Sequence, residues 1–493
     1  MERLTNSNIH NITLSYNSTI LISYYQNIIN QKYTTLFLDN KTDNNSDYYK
    51  LQVSIYKILD SIYSKLKSTF RGPESFIDLN NYRKIISSHS IEYTKIVSRV
   101  YYKHFSDNKY ISKEIKDYII KTDTKYNSFI IKYAFNYEKI IVNIHFIIYI
   151  NAETTCDNNI IITYDKYVIH MLALLSLVIK LTNNACSKNG LDIYIFKTPF
   201  ERKLDNKLNH QTIGAKNING GFSYGCTNKG NIIIYRNEEF FKVFSHELCH
   251  TFGIDKYIFT FIENSLYKNP ESELYKKFIN NFNLSKKINK DNYDIGIQES
   301  LVEFWAIFFN TSLFVFNSNQ SYNIIYHNKV KRYIEFFDQL FNYEIVHTFF
   351  QTQKILQYNN ITIDSILSTT DILKNKFTNY KETTHVFSYI ILKLFLLINY
   401  REFINSNISL KRTNRIDPAQ YKVEFRYSLK NVSRFFDYII SITKSNSDYI
   451  KTNLTYVKNI LKKIDLTNTD LTKINNDNRF IKNNMRMSGI EIL

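Results

Sequence analysis

Two histidines four residues apart bracket a glutamate in the run His246-Glu247-Leu248-Cys249-His250. On a helix, positions i and i+4 share one face, a turn apart. Two imidazoles so placed can grip one metal ion, and the glutamate between them can take a proton from a water molecule that the metal has made acidic. With 11 His in 493 residues, such a pentad arises by chance on the order of once in a hundred shuffled chains. The implied chemistry is metal-assisted hydrolysis. Zinc is the expected ion, because it accepts histidine and carboxylate ligands in a four-coordinate site that keeps a place for water.

A third protein ligand must come from elsewhere. Gly253 fits a pattern in which it would follow three residues later, but Lys256 stands at that place, and a charged ammonium cannot ligate. Asp255 is one residue out of register and is instead a candidate to orient a ligand histidine. The better source lies downstream. Gln298 to Ala306 reads as a second helix with an apolar stripe of Ile297, Leu301, Trp305 and Phe308, and Glu299 and Glu303 lie one turn apart off that stripe. Like charges at this spacing repel, and no Lys or Arg occurs between Lys290 and Lys329. A bound cation would account for the pair, with Glu299 as ligand and Glu303 as the acceptor that fixes a histidine ring; the reverse assignment is also open. Tyr389, His385 and His347 are candidates to stabilise a developing oxyanion.

These side chains need elements to hold them. Phe240, Phe244, Leu248 and Phe252 form a buried stripe roughly 200° around the helix from the two histidines. Asn237 is placed to cap that helix, Glu238 and Glu239 fall in its first turn, and Gly253 ends it. Upstream, Ser128–Phe135 and Ile140–Ile150 read as paired strands, Tyr167–Leu181 as a buried helix, Leu191–Lys197 as a strand and Asn231–Arg236 as another. Five of the 10 glycines, Gly214, Gly220, Gly221, Gly225 and Gly230, cluster between them, which marks close backbone approach. Asp47 to Phe105 reads as helical, broken at Arg71-Gly72-Pro73. Beyond residue 291 the chain reads as mainly helical, with one long apolar helix from Tyr380 to Phe403.

The fold class expected is α+β. Residues 1–120 form a mainly helical N-terminal region, loosely ordered over 1–46. Residues 121–310 form the site-bearing domain, and 311–493 a helical region that completes the cleft and ends in a weakly ordered polar tail from about Asp465. The net charge of +18 comes from lysines scattered along a chain rich in Asn, Ile, Lys and Tyr, with no nucleic-acid reading motif beside them, so nucleic acid is not the expected partner. No signal peptide is visible, and Val168–Ile179 is too short to span a bilayer. Cys156, Cys186, Cys226 and Cys249 show no paired spacing and read as free thiols of a soluble protein in a reducing intracellular compartment.

A motif helix followed by an acidic helix resembles the gluzincin zinc metallopeptidases. The resemblance covers residues 125–310 and implies a zincin-like domain. His246, His250 and Glu299 would be its zinc ligands, Glu247 the general base and Glu303 a support for a histidine. The Gly-rich strand, with Gly220, Gly221 and Phe222, would hold an extended protein or peptide substrate. More narrowly, GFSYG, IIIYRNEEFFKVFSHE, ESLVEFWA and VFSYIILK look similar to metallopeptidase-like proteins of large nucleocytoplasmic DNA viruses, which implies a virion or an infected-cell cytoplasm. Against this stands a catalytically silent structural or partner-binding protein of the same fold. The intact Glu247 argues for turnover, because a silent site has no need of it.

Overall fold

The computed structural model describes residues 14–32, 46–69, 83–121, 127–137, 140–150, 158–182, 186–204, 212–263, 273–282, 296–318, 326–367, 380, 382–412, 421–425, 432–466 and 473–492. Its elements make an α+β fold, mostly helical around a mixed six-stranded sheet. The expected break at Arg71-Gly72-Pro73 and the residue Cys156 lie outside the described residues.

The sheet has strands β1 (Arg83–Ser87), β2 (Asn127–Tyr137), β3 (Ile140–Ile150), β4 (Leu191–Phe196), β5 (Gly221–Ser223) and β6 (Gly230–Ile234), in spatial order β1-β2-β3-β4-β6-β5. β3, β4 and β6 run parallel; β1–β2, β2–β3 and β5–β6 are antiparallel. The helix Asn158–Thr182 lies in the connection from β3 to β4, and β5 lies in the connection from β4 to β6; both are long crossovers, as parallel pairing requires. The period-2 alternation sorts side chains to two faces. Phe129, Ile131 and Tyr133 of β2, Val142, Ile144 and Phe146 of β3, and Ile232 and Ile234 of β6 enter the main core. Ile130, Ile147, Phe196 and Ile233 enter a second cluster on the other face.

That second cluster is covered by α3 (Ile91–Val100), its π-helical continuation Tyr101–Phe105, and α4 (Lys113–Lys121). The N-terminal region is therefore not purely helical, since β1 belongs to the sheet. Its first helices, α1 (Tyr16–Lys32) and α2 (Asp47–Thr69), bury Leu21, Tyr25, Leu51 and Ile55 in the same core as the site-bearing helices. On the main-core face lie α5 (Asn158–Thr182), the short α6 (Ala215–Ile218), α7 (Phe240–Thr251), α8 (Lys256–Ile262) and α9 (Glu273–Asn281). Beyond them come α10 (Ile297–Ser318), α11 (Tyr326–Tyr358) and α12 (Ile363–Leu367). α5 and α10 are long and apolar enough to cross a membrane, α5 being longer than the sequence reading allowed; here α10 is wholly buried within the protein and α5 more than half so.

The expected long helix from Tyr380 to Phe403 is broken. A π-helical turn, Phe387–Leu392, leads into α13 (Lys393–Ile398), and a bend at Asn399 precedes α14 (Tyr400–Asn407). A hairpin of β7 (Ile408–Arg412) and β8 (Tyr421–Phe425) and helices α15 (Ser433–Ser445), α16 (Ser447–Leu466) and α17 (Lys473–Asn483) follow.

The polar tail is not loose where it is described. Residues 484–492 lack regular structure yet are all buried. Buried carboxylates and cations substitute for the missing ladder partners, as burial of backbone polar groups demands. Glu344 accepts from the N–H groups of Gly489 and Ile490, Glu239 accepts from those of Met487 and Ser488, and Lys393 donates to the Met487 carbonyl.

Two of the four cysteines are not free thiols. Cys186 and Cys226 form a disulfide, joining the loop ahead of β4 to the β5–β6 turn, where Ser187 N–H also donates to Thr227 O. Disulfides are uncommon in reducing compartments. Cys249 is free and buried in the core, as its position off the histidine face implies.

Candidate metal centre

α7 begins at Phe240, later than the sequence reading placed it. Asn237 does not cap it. Glu239 precedes the first turn in a left-handed conformation, φ 55°, which costs an ordinary residue roughly 1–2 kcal/mol. Its bonds offset that cost. The Glu239 carboxylate accepts from Arg202 Nη1 at 2.7 Å and from Ser488 N at 2.7 Å, while its own N–H donates to Glu491 Oε1 at 2.6 Å. Glu238 likewise accepts from Arg202 N. Both acids therefore serve a buried ion-pair network with Arg202 and Arg486 rather than the helix dipole. Gly253, at φ 69°, ends the helix, with Ile254 N–H closing onto Cys249 O at 2.9 Å.

Packed by its phenylalanine stripe, α7 presents His246 and His250 toward α10. His246 Nε2 and His250 Nε2 are 3.2 Å apart, His250 Nε2 is 3.2 Å from Glu299 Oε2, and His246 Nε2 is 3.3 Å from the same oxygen. Ligands about 2.0–2.1 Å from a tetrahedral ion stand roughly 3.3–3.4 Å from one another. The three atoms thus form one face of such a tetrahedron. Among the described residues this is the one group of three such side chains whose ligand atoms converge closely enough to hold a metal ion.

The outer nitrogens explain why these lone pairs converge. His250 Nδ1 lies 2.7 Å from Asp255 Oδ2, and His246 Nδ1 lies 2.9 Å from Glu303 Oε1. A carboxylate only accepts, so each Nδ1 carries a proton, and in the neutral imidazole each Nε2 is left as a lone pair toward Glu299. Two nitrogen lone pairs and a carboxylate oxygen facing one another in a buried space repel unless a cation or shared protons lie between them. The same crowding governs titration. Burial works against a charge on His250, but Asp255 and Glu299 override it and hold its pKa well above the usual imidazole range. Burial would raise Glu299; His250 and His246 instead pull it well below the usual carboxylate range.

The geometry assigns separate roles to the two acids of α10. Glu299 faces both Nε2 atoms, and Glu303 faces the back of His246. The lack of nearby basic residues in the sequence was misleading for Glu303. Lys242, one turn before His246, pairs with its Oε1, and Lys393 of α13 lies 3.9 Å from its Oε2. Both lysines are buried, and burial lowers Lys393 to about 8. Lys242 could have been suspected from its i−4 spacing to His246. Nothing local in the sequence pointed to Lys393.

Glu247 is buried beside the histidines, and burial raises its carboxyl above the ordinary range despite the nearby imidazoles. It lines a cleft of about 570 Å³ together with His246, His250, Glu299, Asp255 and Tyr389. β5 borders this cleft with Gly221, Phe222 and Ser223 and occupies the edge of the sheet. Gly221 must lack a side chain, because a Cβ there would stand 2.8 Å from Ile233 O and from Val243 Cγ1. Tyr389 also faces the cleft, its ring 6.0 Å from that of His246, and His385 lines the cleft beside it. His347 does not belong here; it is buried between the Tyr25 hydroxyl and Arg486 O. Cys226 lines the cleft, but its sulfur is committed to Cys186. The N-terminal region contributes Tyr110 to the cleft wall. In comparisons with protein-family models, curated proteins and solved structures, the chain finds no match.

Proposed function

We propose that the protein is a zinc-dependent metallopeptidase of gluzincin type, built on a zincin-like domain. The observation that carries this reading is the triangle of His246 Nε2, His250 Nε2 and Glu299 Oε2, with edges of 3.2–3.3 Å, beside a buried Glu247. His246, His250 and Glu299 would hold the ion. Zinc, when bound, supplies Lewis acidity, making a water molecule more acidic and a substrate carbonyl more electrophilic. Glu247 accepts a proton from the water and passes it to the departing amine nitrogen. Its raised pKa suits a group that must both take and return a proton. Asp255 and Glu303 keep the imidazoles in the tautomer that ligation needs. Tyr389 is the better oxyanion donor of the two candidates, because its ring stands next to His246 and it borders the cleft beside Glu247. The exposed edge of β5 would pair with an extended peptide backbone.

The deciding experiment is elemental mass spectrometry on purified protein after zinc reconstitution, with hydrolysis of unfolded casein followed in parallel. About one zinc per chain is expected, absent in His250→Ala, and casein cleavage should stop on adding a chelator. Wild-type protein that binds no zinc would overturn the reading.

A further inference from the structure

We propose that the scissile bond is flanked by unequal residues, one small (Gly, Ala or Ser) and one bulky and aromatic or aliphatic. This rests on the metallopeptidase reading and adds what the cleft selects.

Two spaces of very different size meet at His246, Glu247 and Tyr389. One is a chamber of about 30 Å³, room for about two water-sized groups. Gly220 and Gly221 form part of its wall, packed so closely that neither could carry a side chain. A Cβ on Gly220 would lie 2.1 Å from Arg202 Nη2, and one on Gly221 would meet Val243 at 2.8 Å. Ile218, Val243 and Met487 contribute its apolar lining. Arg202 and Lys242 also line it, and neither can swing aside to enlarge it. Arg202 is tied to Glu239 and to Ile218 O, and Lys242 to Glu303. A methyl or hydroxymethyl group fits this space; an isobutyl or benzyl group does not.

The other space is the cleft of about 570 Å³. Tyr110, Phe222, Tyr224 and Phe259 line it, and Tyr224 is 51% and Phe259 43% exposed. Large aromatic rings left in contact with water inside a concave site are binding surface rather than core. The Tyr224 hydroxyl is already bonded to His104 Nδ1 at 2.8 Å. What Tyr224 has left to offer is its ring, which suits an apolar or aromatic side chain.

The test uses zinc-loaded full-length protein and a set of capped peptides of the form Gly-Gly-X-Z-Gly-Gly, with X and Z drawn from Gly, Ala, Ser, Leu and Phe. Cleavage is followed by mass spectrometry. Pairs of one small and one bulky residue, in one of the two orders, should be cleaved at least about tenfold faster than pairs of two bulky residues. Val243→Ala should widen the chamber and narrow that ratio. Phe259→Ala, in the large cleft and away from the chamber lining, should raise KM for Phe-containing peptides and leave the small-residue requirement intact. Equal cleavage of bulky–bulky pairs, or a ratio unmoved by Val243→Ala in a folded variant, overturns the proposal. Zinc-loaded protein that cleaves neither these peptides nor casein overturns the metallopeptidase reading itself, and the size selection falls with it.

Discussion

Glu247→Gln should lower casein hydrolysis by roughly 10²–10⁴-fold while leaving about one zinc per chain. The substitution keeps the shape of the side chain and removes its ability to accept a proton. Glu247 takes no part in the ligand triangle; the converging atoms belong to His246, His250 and Glu299. Its carboxylate instead borders the cleft and the small chamber, with Gly221 packed close to Oε1. Loss of turnover should therefore separate cleanly from loss of metal. The measurement is zinc content and hydrolysis rate on the same preparation. Retained hydrolysis would mean that some other group takes the water's proton. Loss of zinc alongside turnover would mean that Glu247 supports the ion rather than the chemistry.

The second large effect distinguishes the two acids of α10. Glu299→Ala is expected to abolish stoichiometric zinc binding while the metal-free protein stays folded, because among the described residues the Glu299 carboxylate pairs with the two imidazoles and with no buried lysine or arginine. Glu303→Ala is expected to destabilise the fold itself, by about 3–5 kcal/mol. It would leave the ammonium groups of Lys242 and Lys393 buried, at 2% and 0% exposure, without their shared counter-charge. Removing one partner of a buried ion pair costs far more than the pair contributes when intact, because the stranded charge keeps its desolvation penalty. Urea unfolding of chelator-treated variants checks this. A Glu303→Ala protein that unfolds at the wild-type midpoint, or a Glu299→Ala protein that still holds zinc, would reverse the assignment.

What the sequence made legible follows from which interactions are local. His246, Glu247 and His250 share a helical turn, so spacing alone brings them together. The acids of α10 were legible because stripe and charge sit on one helix, and the paired strands β2 and β3 followed from two neighbouring β-rich runs. Long-range pairing stayed hidden. Lys242 and Glu303 are 61 residues apart, Lys393 comes from another element, and Cys186 and Cys226 are separated by 40 residues with no motif to join them. The left-handed start of α7 was misread for the same reason. Glu239 makes a poor first-turn acid until Arg202, Ser488 and Glu491 surround it. The run 484–492 reads as a polar tail by composition, yet it is buried because carboxylates and lysines from distant helices meet its backbone.

That arrangement also imposes an order in time. Glu239, at the start of the histidine-bearing helix, depends on the N–H of Ser488, made 249 residues later. A ribosome adding about 5–20 residues per second leaves the helix waiting roughly 12–50 s for that partner. Nascent chains arrested short of residue 485 should accordingly retain no zinc on gel filtration, whereas released chains should; metal-loaded arrested chains would show that the wait is immaterial. Through that interval the carboxylate at the start of the histidine-bearing helix lacks the two N–H donors that Met487 and Ser488 supply to it.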